Sequence, residues 1–156
     1  MNPRASNRLP LLLLGTVIAV VGAAVSFSVF AANSLPAGPV DLVWDKTACA
    51  SCRMHVGEPA FSAQLTTKDG RTHAFDDPGC LFVFLDEEQP AVHEIWFHHL
   101  HELRWLPASA VAFVPVEPTP MGFGLGAVDP GTPGAIDLGA ARQRCVEHAS
   151  SKRGGR

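Results

Sequence analysis

The feature that most constrains this chain is a run of 24 uncharged positions over residues 9–32. A helix that crosses a bilayer takes about 20 apolar residues, so the run is long enough to span one. Arg4 and Arg8 precede the run, and the next charge is Asp41. Basic residues ahead of an apolar stretch keep that end in the cytoplasm and direct the downstream residues outward. We therefore predict a signal segment or membrane anchor at residues 1–32 and a folded domain outside the cytoplasm.

Two forms of this segment are open. The V-F-A sequence at 29–31 would serve as the small-residue cleavage site of a secretory signal, whereas the length of the run favours an uncleaved anchor. No cysteine precedes Cys49, which excludes a lipid-modified cysteine near the end of the segment. Either form places the domain, anchored or secreted, in the periplasm or at the extracytoplasmic face of the inner membrane.

The rest of the chain divides into a linker, a domain and a tail. Residues 33–39 contain two prolines and a glycine, which prevent a helix and indicate a short linker. The predicted domain covers residues 40–149. The polar, glycine-containing residues 150–156 are expected to be disordered.

Composition excludes several classes of protein. The chain has 156 residues, of which 47% are hydrophobic, so it is neither a disordered chain nor a large multidomain enzyme. Its 12 basic and 15 acidic residues give a net charge of −3, which does not favour nucleic-acid binding. It has no G-x-S-x-G nucleophile motif and no phosphate-binding glycine loop. We therefore expect a binding protein that is not an enzyme.

The first half of the domain has a clear hairpin and helix pattern. Apolar and polar residues alternate over 61–67, which predicts a strand, and D-G at 69–70 predicts a hairpin turn into a second strand at 72–75. Asp77 suits a helix N-cap and Pro78 suits the first helical position, so a helix should begin there and end near the next Q-P pair.

The second half has weaker signals. Strands are predicted at 92–98, 110–116 and 123–128, and a helix at 135–148. No final strand follows. The chain therefore predicts an α+β domain of antiparallel β-β-α-β units in which the second unit is incomplete.

The sharpest chemical pattern is the C-x-x-C pair of Cys49 and Cys52. Two thiolates at this spacing can share a metal ion or form a disulfide. Met54 follows two residues later, and thioether sulfur is a poor ligand for zinc but a good one for Cu(I). The pattern therefore favours a Cu(I) site. The alternatives are a thiol–disulfide oxidoreductase that uses the same two cysteines, and a structural disulfide with Met54 in the core.

Met121 is a candidate for a second thioether ligand. It lies in the sequence P-T-P-M-G-F-G over 118–124, where prolines stiffen one side and glycines leave the other unhindered. Such a loop presents a side chain at a fixed place, although a methionine that fills a core gap is the ordinary alternative.

Other thiols and several histidines are weaker candidates. Cys80 lies in the first turn of the predicted helix, where the helix N-terminus lowers a thiol pKa, but its apolar neighbours favour a buried inert thiol. A disulfide between Cys80 and Cys145 is also compatible with an oxidising compartment. The candidate imidazole ligands are His55, His98, His99 and His101.

The order of these motifs resembles the NosL family, copper accessory proteins of nitrous oxide reductase maturation. The motifs that carry the resemblance are C-A-S-C-R-M at 49–54, F-S-A-Q at 61–64, D-G at 69–70, F-D-D-P-G-C at 75–80, Trp105 with Ala108 and Ala110, and T-P-M-G-F-G at 119–124. The resemblance covers residues 45–130. It implies β-β-α-β units similar to part of the organomercurial lyase, and a Cu(I) site formed by Cys49, Cys52, Met54 and Met121.

The resemblance also implies a function and its partners. A NosL-like protein would be a membrane-tethered Cu(I) chaperone that supplies copper to apo-nitrous oxide reductase or a related cuproenzyme, together with a membrane copper-maturation complex. NosL proteins are typically lipoproteins, and this chain lacks the lipid-acceptor cysteine. Its hydrophobic segment at residues 9–32 would replace that anchor.

Overall fold

The computed structural model describes residues 8–32 and 35–155, which divide into two compact units at residue 35. The first unit is one helix, α1 (Arg8–Ala32), whose described side chains, at 12–26 and 28, are all exposed. Searched over the described residues, the chain has no helix with the length and hydropathy needed to cross a membrane. The first two residues of the predicted linker, 33 and 34, lie outside the described residues.

The second unit contains a four-stranded antiparallel sheet of β1 (Ala63–Thr67), β2 (Thr72–Phe75), β3 (Val92–His98) and β4 (Trp105–Pro107). The strands lie in the order β2-β1-β3-β4. The predicted D-G turn joins β1 to β2, and its Gly70 has φ +85°, which favours glycine. The sequence patterns do not indicate β4, because three residues ending in proline carry no alternation.

The helix α2 (Pro78–Glu88) begins where the sequence predicts. The Asp77 side chain accepts a hydrogen bond from the Gly79 N–H, and Pro78 occupies the first turn. The helix ends at Glu88, and the next residue, Gln89, has φ +45°. The N-cap prediction is therefore confirmed.

A two-stranded antiparallel sheet and a third helix complete the unit. They are β5 (Ala112–Pro115), β6 (Leu125–Val128) and α3 (Leu138–Gly154). The α+β class with antiparallel strands is confirmed, but the expected disordered tail from residue 150 is wrong. Lys152 and Arg153 occupy the last turn of α3, where positive charge complements the helix dipole, and Arg153 pairs with Glu87 of α2.

Three aromatic rings join the helix α2 to both sheets. Phe97 and Phe113 meet edge-on with centroids 5.0 Å apart, and Phe82 of α2 lies 5.7 Å from Phe97 and 5.6 Å from Phe113. Full burial of each such side chain contributes about 1.5–3 kcal/mol. This core holds α2 against the two sheets and so determines where its N-terminus points.

Candidate metal centre

The C-x-x-C segment forms a closed loop and does not begin a helix. The Cys49 N–H donates to the Met54 carbonyl (2.8 Å), and the Arg53 N–H donates to the Cys49 carbonyl (3.1 Å). The Ala50 N–H donates to the Ala74 carbonyl in β2 (2.9 Å), which ties the loop to the sheet. Thioredoxin-like sites place the first cysteine near a helix start. The loop geometry therefore does not favour the oxidoreductase alternative.

Three cysteine sulfurs meet beside this loop. The Sγ atoms of Cys49, Cys52 and Cys80 all lie within 4.8 Å of one another. Cys49 and Cys80 are buried and Cys52 is half-buried. All four cysteines lie in the described part of the chain and are free, so Cys80 and Cys145 form no disulfide here. The structure thus brings Cys80, for which the sequence favours an inert buried thiol, into the same cluster as the C-x-x-C pair.

The three thiols differ in their tendency to ionise. A hydrogen bond from the Cys80 thiol, helped by backbone N–H groups of Asp76, Cys52 and Ser51, lowers the pKa of Cys49 to about 5 although burial opposes this. Burial raises the pKa of Cys52. Donation to Cys49, together with burial, raises the pKa of Cys80 well above its ordinary value. Of the three thiols, Cys49 is therefore the one that ionises most readily.

Two adjacent aspartates fasten both candidate-ligand loops to the start of α2. Asp77 accepts from the Gly79 N–H through Oδ1 (2.8 Å) and from the Met121 N–H through Oδ2 (3.2 Å). Asp76 accepts from the Gly57 N–H just beyond the cysteine loop (3.1 Å). Both carboxylates are buried. They hold the two loops against the helix that carries the third thiol.

The close approach of the methionine loop to α2 depends on a glycine. The ring of Phe123 lies directly over Gly79, where an added Cβ would come within 2.0 Å of the ring Cγ. The same ring meets the imidazole of His148 on α3 with centroids 5.7 Å apart. Phe123 therefore packs the loop that carries Met121 between α2 and α3.

A cavity of about 630 Å³ opens beside the cysteine cluster. The side chains with metal-donor chemistry that line it are Cys52, Cys80, Met121 and His148. The exposed charges of Glu87, Lys152 and Arg153 also line it. Met121 is half-buried. The structure thus brings one of the two predicted methionines to the cysteines.

The structure does not bring Met54 or His55 to this cavity. Met54 is 58% exposed and His55 is also exposed, and neither lines it. The alternative in which Met54 fills the core is therefore wrong. The role of Met54 as a ligand stays a prediction.

The other candidate histidines have a different setting and do not line the cavity. His98 is buried, with Nδ1 3.0 Å from the carbonyl oxygen of His99 and its ring edge-on to Trp105. His99 Nδ1 accepts from the backbone N–H groups of His101 and Glu102 at 3.2 and 3.1 Å. Accepting at Nδ1 assigns the proton of the neutral ring to Nε2.

His99 also belongs to a second group of donors, with Glu102 and Asp129, whose ligand atoms lie within 4.8 Å of one another. His99 Nε2 lies 3.7 Å from Asp129 Oδ2. A proton on Nε2 would therefore face the Asp129 carboxylate. Arg104 pairs with both carboxylates and holds the pKa of each below its ordinary value. The Arg104 guanidinium already pairs with both carboxylates, so this group does not favour a metal ion.

His148 is the donor in the cavity that the sequence patterns do not indicate. Cys145 and His148 are three residues apart on α3, a spacing that places two side chains on one face of a helix. That spacing is the only local signal, and Cys145 itself lies outside the cysteine cluster.

Comparison with known proteins agrees with the predicted fold. No family model matches the sequence, and no curated protein matches it. The structure is similar to the crystal structure of the copper chaperone NosL from Shewanella denitrificans, with a TM-score of 0.50 and 20% sequence identity over 72% of this chain and 89% of that one. The resemblance predicted from the motifs is thus confirmed at the level of the fold, and this chain has a NosL-like fold.

Proposed function

We propose that this protein is a membrane-tethered Cu(I) chaperone that acts outside the cytoplasm. It supplies copper to nitrous oxide reductase or a related cuproenzyme. The observation that carries the proposal is the cluster of Cys49, Cys52 and Cys80 beside a cavity that Met121 also lines. The description of the similar Shewanella denitrificans protein as a copper chaperone supports it.

The donor set suits Cu(I) better than zinc. Thiolate and thioether sulfur are soft ligands, which Cu(I) prefers at low coordination number, whereas structural zinc sites are closed and four-coordinate. The lowered pKa of Cys49 makes it the first of the three thiols to supply a thiolate ligand. A Cu(I) ion that recruits Cys52 or Cys80 displaces the proton of that thiol, and oxidation of the thiols abolishes binding.

The candidate ligands differ in burial, which suits a copper ion that is to be transferred to another protein. Cys49 is fully buried, whereas Cys52 and Met121 are half-buried and face the cavity. A ligand from an apo-cuproenzyme can therefore approach the ion from the cavity side and replace these donors one at a time. Release by stepwise exchange avoids a free ion.

The tether and the compartment are proposed from the N-terminal segment. Residues 9–32 carry no charge and follow two arginines, and the described leucines and valines of α1 are exposed. In a sequence, an uncharged run of this length after basic residues is typical of a signal anchor. Recovery of the full chain in the soluble cytoplasmic fraction would contradict this.

Titration of Cu(I) into the reduced full chain against a competing chelator decides the central proposal. We expect one tightly bound ion in the wild type and loss of tight binding in the double variant Cys49→Ser/Cys52→Ser. Equal affinity in the two proteins would contradict the proposal. A thiol–disulfide oxidoreductase would instead turn over a dithiol substrate without metal.

The same titration separates the two methionines. Met121→Leu keeps the size of the side chain and removes the thioether. We expect affinity to fall at least about tenfold, since even loss of a group that only supports the ligands costs that much. Met54→Leu is the matched control, and its exposed position outside the cavity predicts a smaller loss. The larger loss in Met54→Leu would show that the cysteine loop moves to bring Met54 to the ion.

A further inference from the structure

We propose that this protein is the substrate of an extracytoplasmic protein dithiol reductase, which reduces its cysteine cluster through the sulfur of Cys52. The inference rests on the proposed function, because Cu(I) binding outside the cytoplasm requires reduced thiols in a compartment where thiols are readily oxidised. It names the class of reaction that must precede copper loading. It also assigns Cys52 a role that is separate from its role as a candidate ligand.

The three sulfurs of the cluster are close enough for disulfide formation. The Sγ atoms of Cys49, Cys52 and Cys80 all lie within 4.8 Å of one another, and all three cysteines are free in the structure. The hydrogen bond from the Arg53 N–H to the Cys49 carbonyl (3.1 Å) closes a turn that holds the C-x-x-C pair together. A disulfide oxidant would remove two electrons and two protons from such a cluster, and the two sulfurs would then no longer bind Cu(I).

The three cysteines differ in how readily a partner protein can reach them. Cys49 is 0% exposed and Cys80 is 2% exposed, whereas Cys52 is half-buried. Cys52 and Cys80 both line the cavity of about 630 Å³, but only Cys52 has substantial exposure there. A protein dithiol attacks a sulfur that it can contact, since the rate of thiol–disulfide exchange depends on access. Cys52 is therefore the sulfur through which the cluster is reduced.

The exchange is simplest for a disulfide between Cys49 and Cys52. A thiolate of the reductase attacks the Cys52 Sγ, the bond to Cys49 breaks, and Cys49 takes up the proton that the reductase thiol has lost. The second reductase thiol then attacks the reductase sulfur of the mixed disulfide and releases Cys52, which takes up the second proton. The chain gains two electrons and two protons, and the reductase becomes a disulfide.

A disulfide between the two covered sulfurs, Cys49 and Cys80, is reduced by the same route. The Cys52 Sγ lies within 4.8 Å of both sulfurs. It attacks the Cys49 sulfur, the bond to Cys80 breaks, and the proton of Cys52 passes to Cys80. The disulfide then includes Cys52 and is open to the reductase. Cys52 thus connects each of these disulfides to the cavity.

Trapping of a mixed disulfide tests the proposal on the unaltered full chain. The chain is oxidised with diamide and incubated with a thioredoxin variant that lacks its second active-site cysteine, so that the mixed disulfide accumulates. We expect mass spectrometry to locate thioredoxin on Cys52. Thioredoxin on Cys49, Cys80 or Cys145, or the absence of any mixed disulfide, would overturn the inference.

Reduction rates provide a second test. Intact thioredoxin should reduce the oxidised Cys52→Ala variant at least about tenfold more slowly than the oxidised wild type, because the remaining disulfide is covered. Cys145→Ala is the matched control, since Cys145 is fully buried and lies outside the cluster, and it should leave the rate unchanged. Equal rates in Cys52→Ala and the wild type would contradict the proposal. Both tests use no copper, so failure of the reduced chain to bind Cu(I) is a separate result that counts against the proposed function.

Discussion

Replacement of Cys80 by alanine is expected to weaken Cu(I) binding at least about 100-fold, the upper end of what loss of a supporting group costs a metal site. The Sγ atom of Cys80 lies within 4.8 Å of the sulfurs of Cys49 and Cys52 and also faces the cavity. Its loss also removes the hydrogen bond that most lowers the pKa of Cys49. The variant therefore loses one ligand, and the second ligand, Cys49, ionises less readily. Competition titration of the reduced protein measures the change.

Cys145→Ala is the matched control for this prediction. Both cysteines are free and almost fully buried, on helices that pack against each other. Either replacement removes one buried sulfur and should cost about 1 kcal/mol of folding stability. Burial, with the negative charge of Asp77, raises the pKa of Cys145 to about 12, so it stays a protonated thiol. Equal losses of copper affinity in the two variants would refute a ligand role for Cys80.

Asp77→Ala is expected to lower the free energy of unfolding by at most about 4 kcal/mol. Loss of the N-cap costs about 1 kcal/mol, and leaving the Met121 N–H without its acceptor adds about 1–3 kcal/mol. Part of this loss is offset, because the substitution also removes a buried carboxylate. Burial disfavours the charged form of Asp77 and raises its pKa. Urea unfolding followed by circular dichroism measures the change.

The same variant should weaken Cu(I) binding about tenfold, the loss also expected for Met121→Leu, because the methionine loop loses its attachment to α2. Asp137→Ala is the control. Asp137 caps α3 through a hydrogen bond from the Ala140 N–H (2.9 Å), but it is exposed and bonds no ligand loop. We expect it to cost about 1 kcal/mol and no copper affinity. If both variants behave alike, Asp77 is only a helix cap.

Local signals predicted the elements that need no distant partner. The hairpin turn at 69–70, the cap at Asp77 and the strand Val92–His98 depend on neighbours a few residues away, and the structure confirms each of them. The structure of residues 150–154 was harder to predict, since polar residues near a terminus are compatible with both coil and helix. There the pairing of Arg153 with Glu87, 66 residues away in sequence, adds support that no local pattern contains.

The site was predictable only in part for the same reason. Soft donors at Cys49 and Cys52 form a recognisable motif, and the proline–glycine setting distinguishes Met121 from an ordinary core methionine. Cys80 lies 28 residues beyond Cys52 in an apolar helix, where a buried inert thiol is the usual outcome. Met54, although adjacent to the motif, has its side chain turned to solvent.

The amino-acid sequence by itself determined the donor chemistry, the uncharged N-terminal segment and the α+β order of elements, because these follow from residue type and short-range spacing. Only the tertiary structure decided which donors meet. The bonds of Asp76 and Asp77 draw the two loops onto α2, Gly79 lets Phe123 approach, and the aromatic core orients the helix. Contacts between residues distant in the sequence thus bring Cys80 to the C-x-x-C motif and place Met121 at the same cavity.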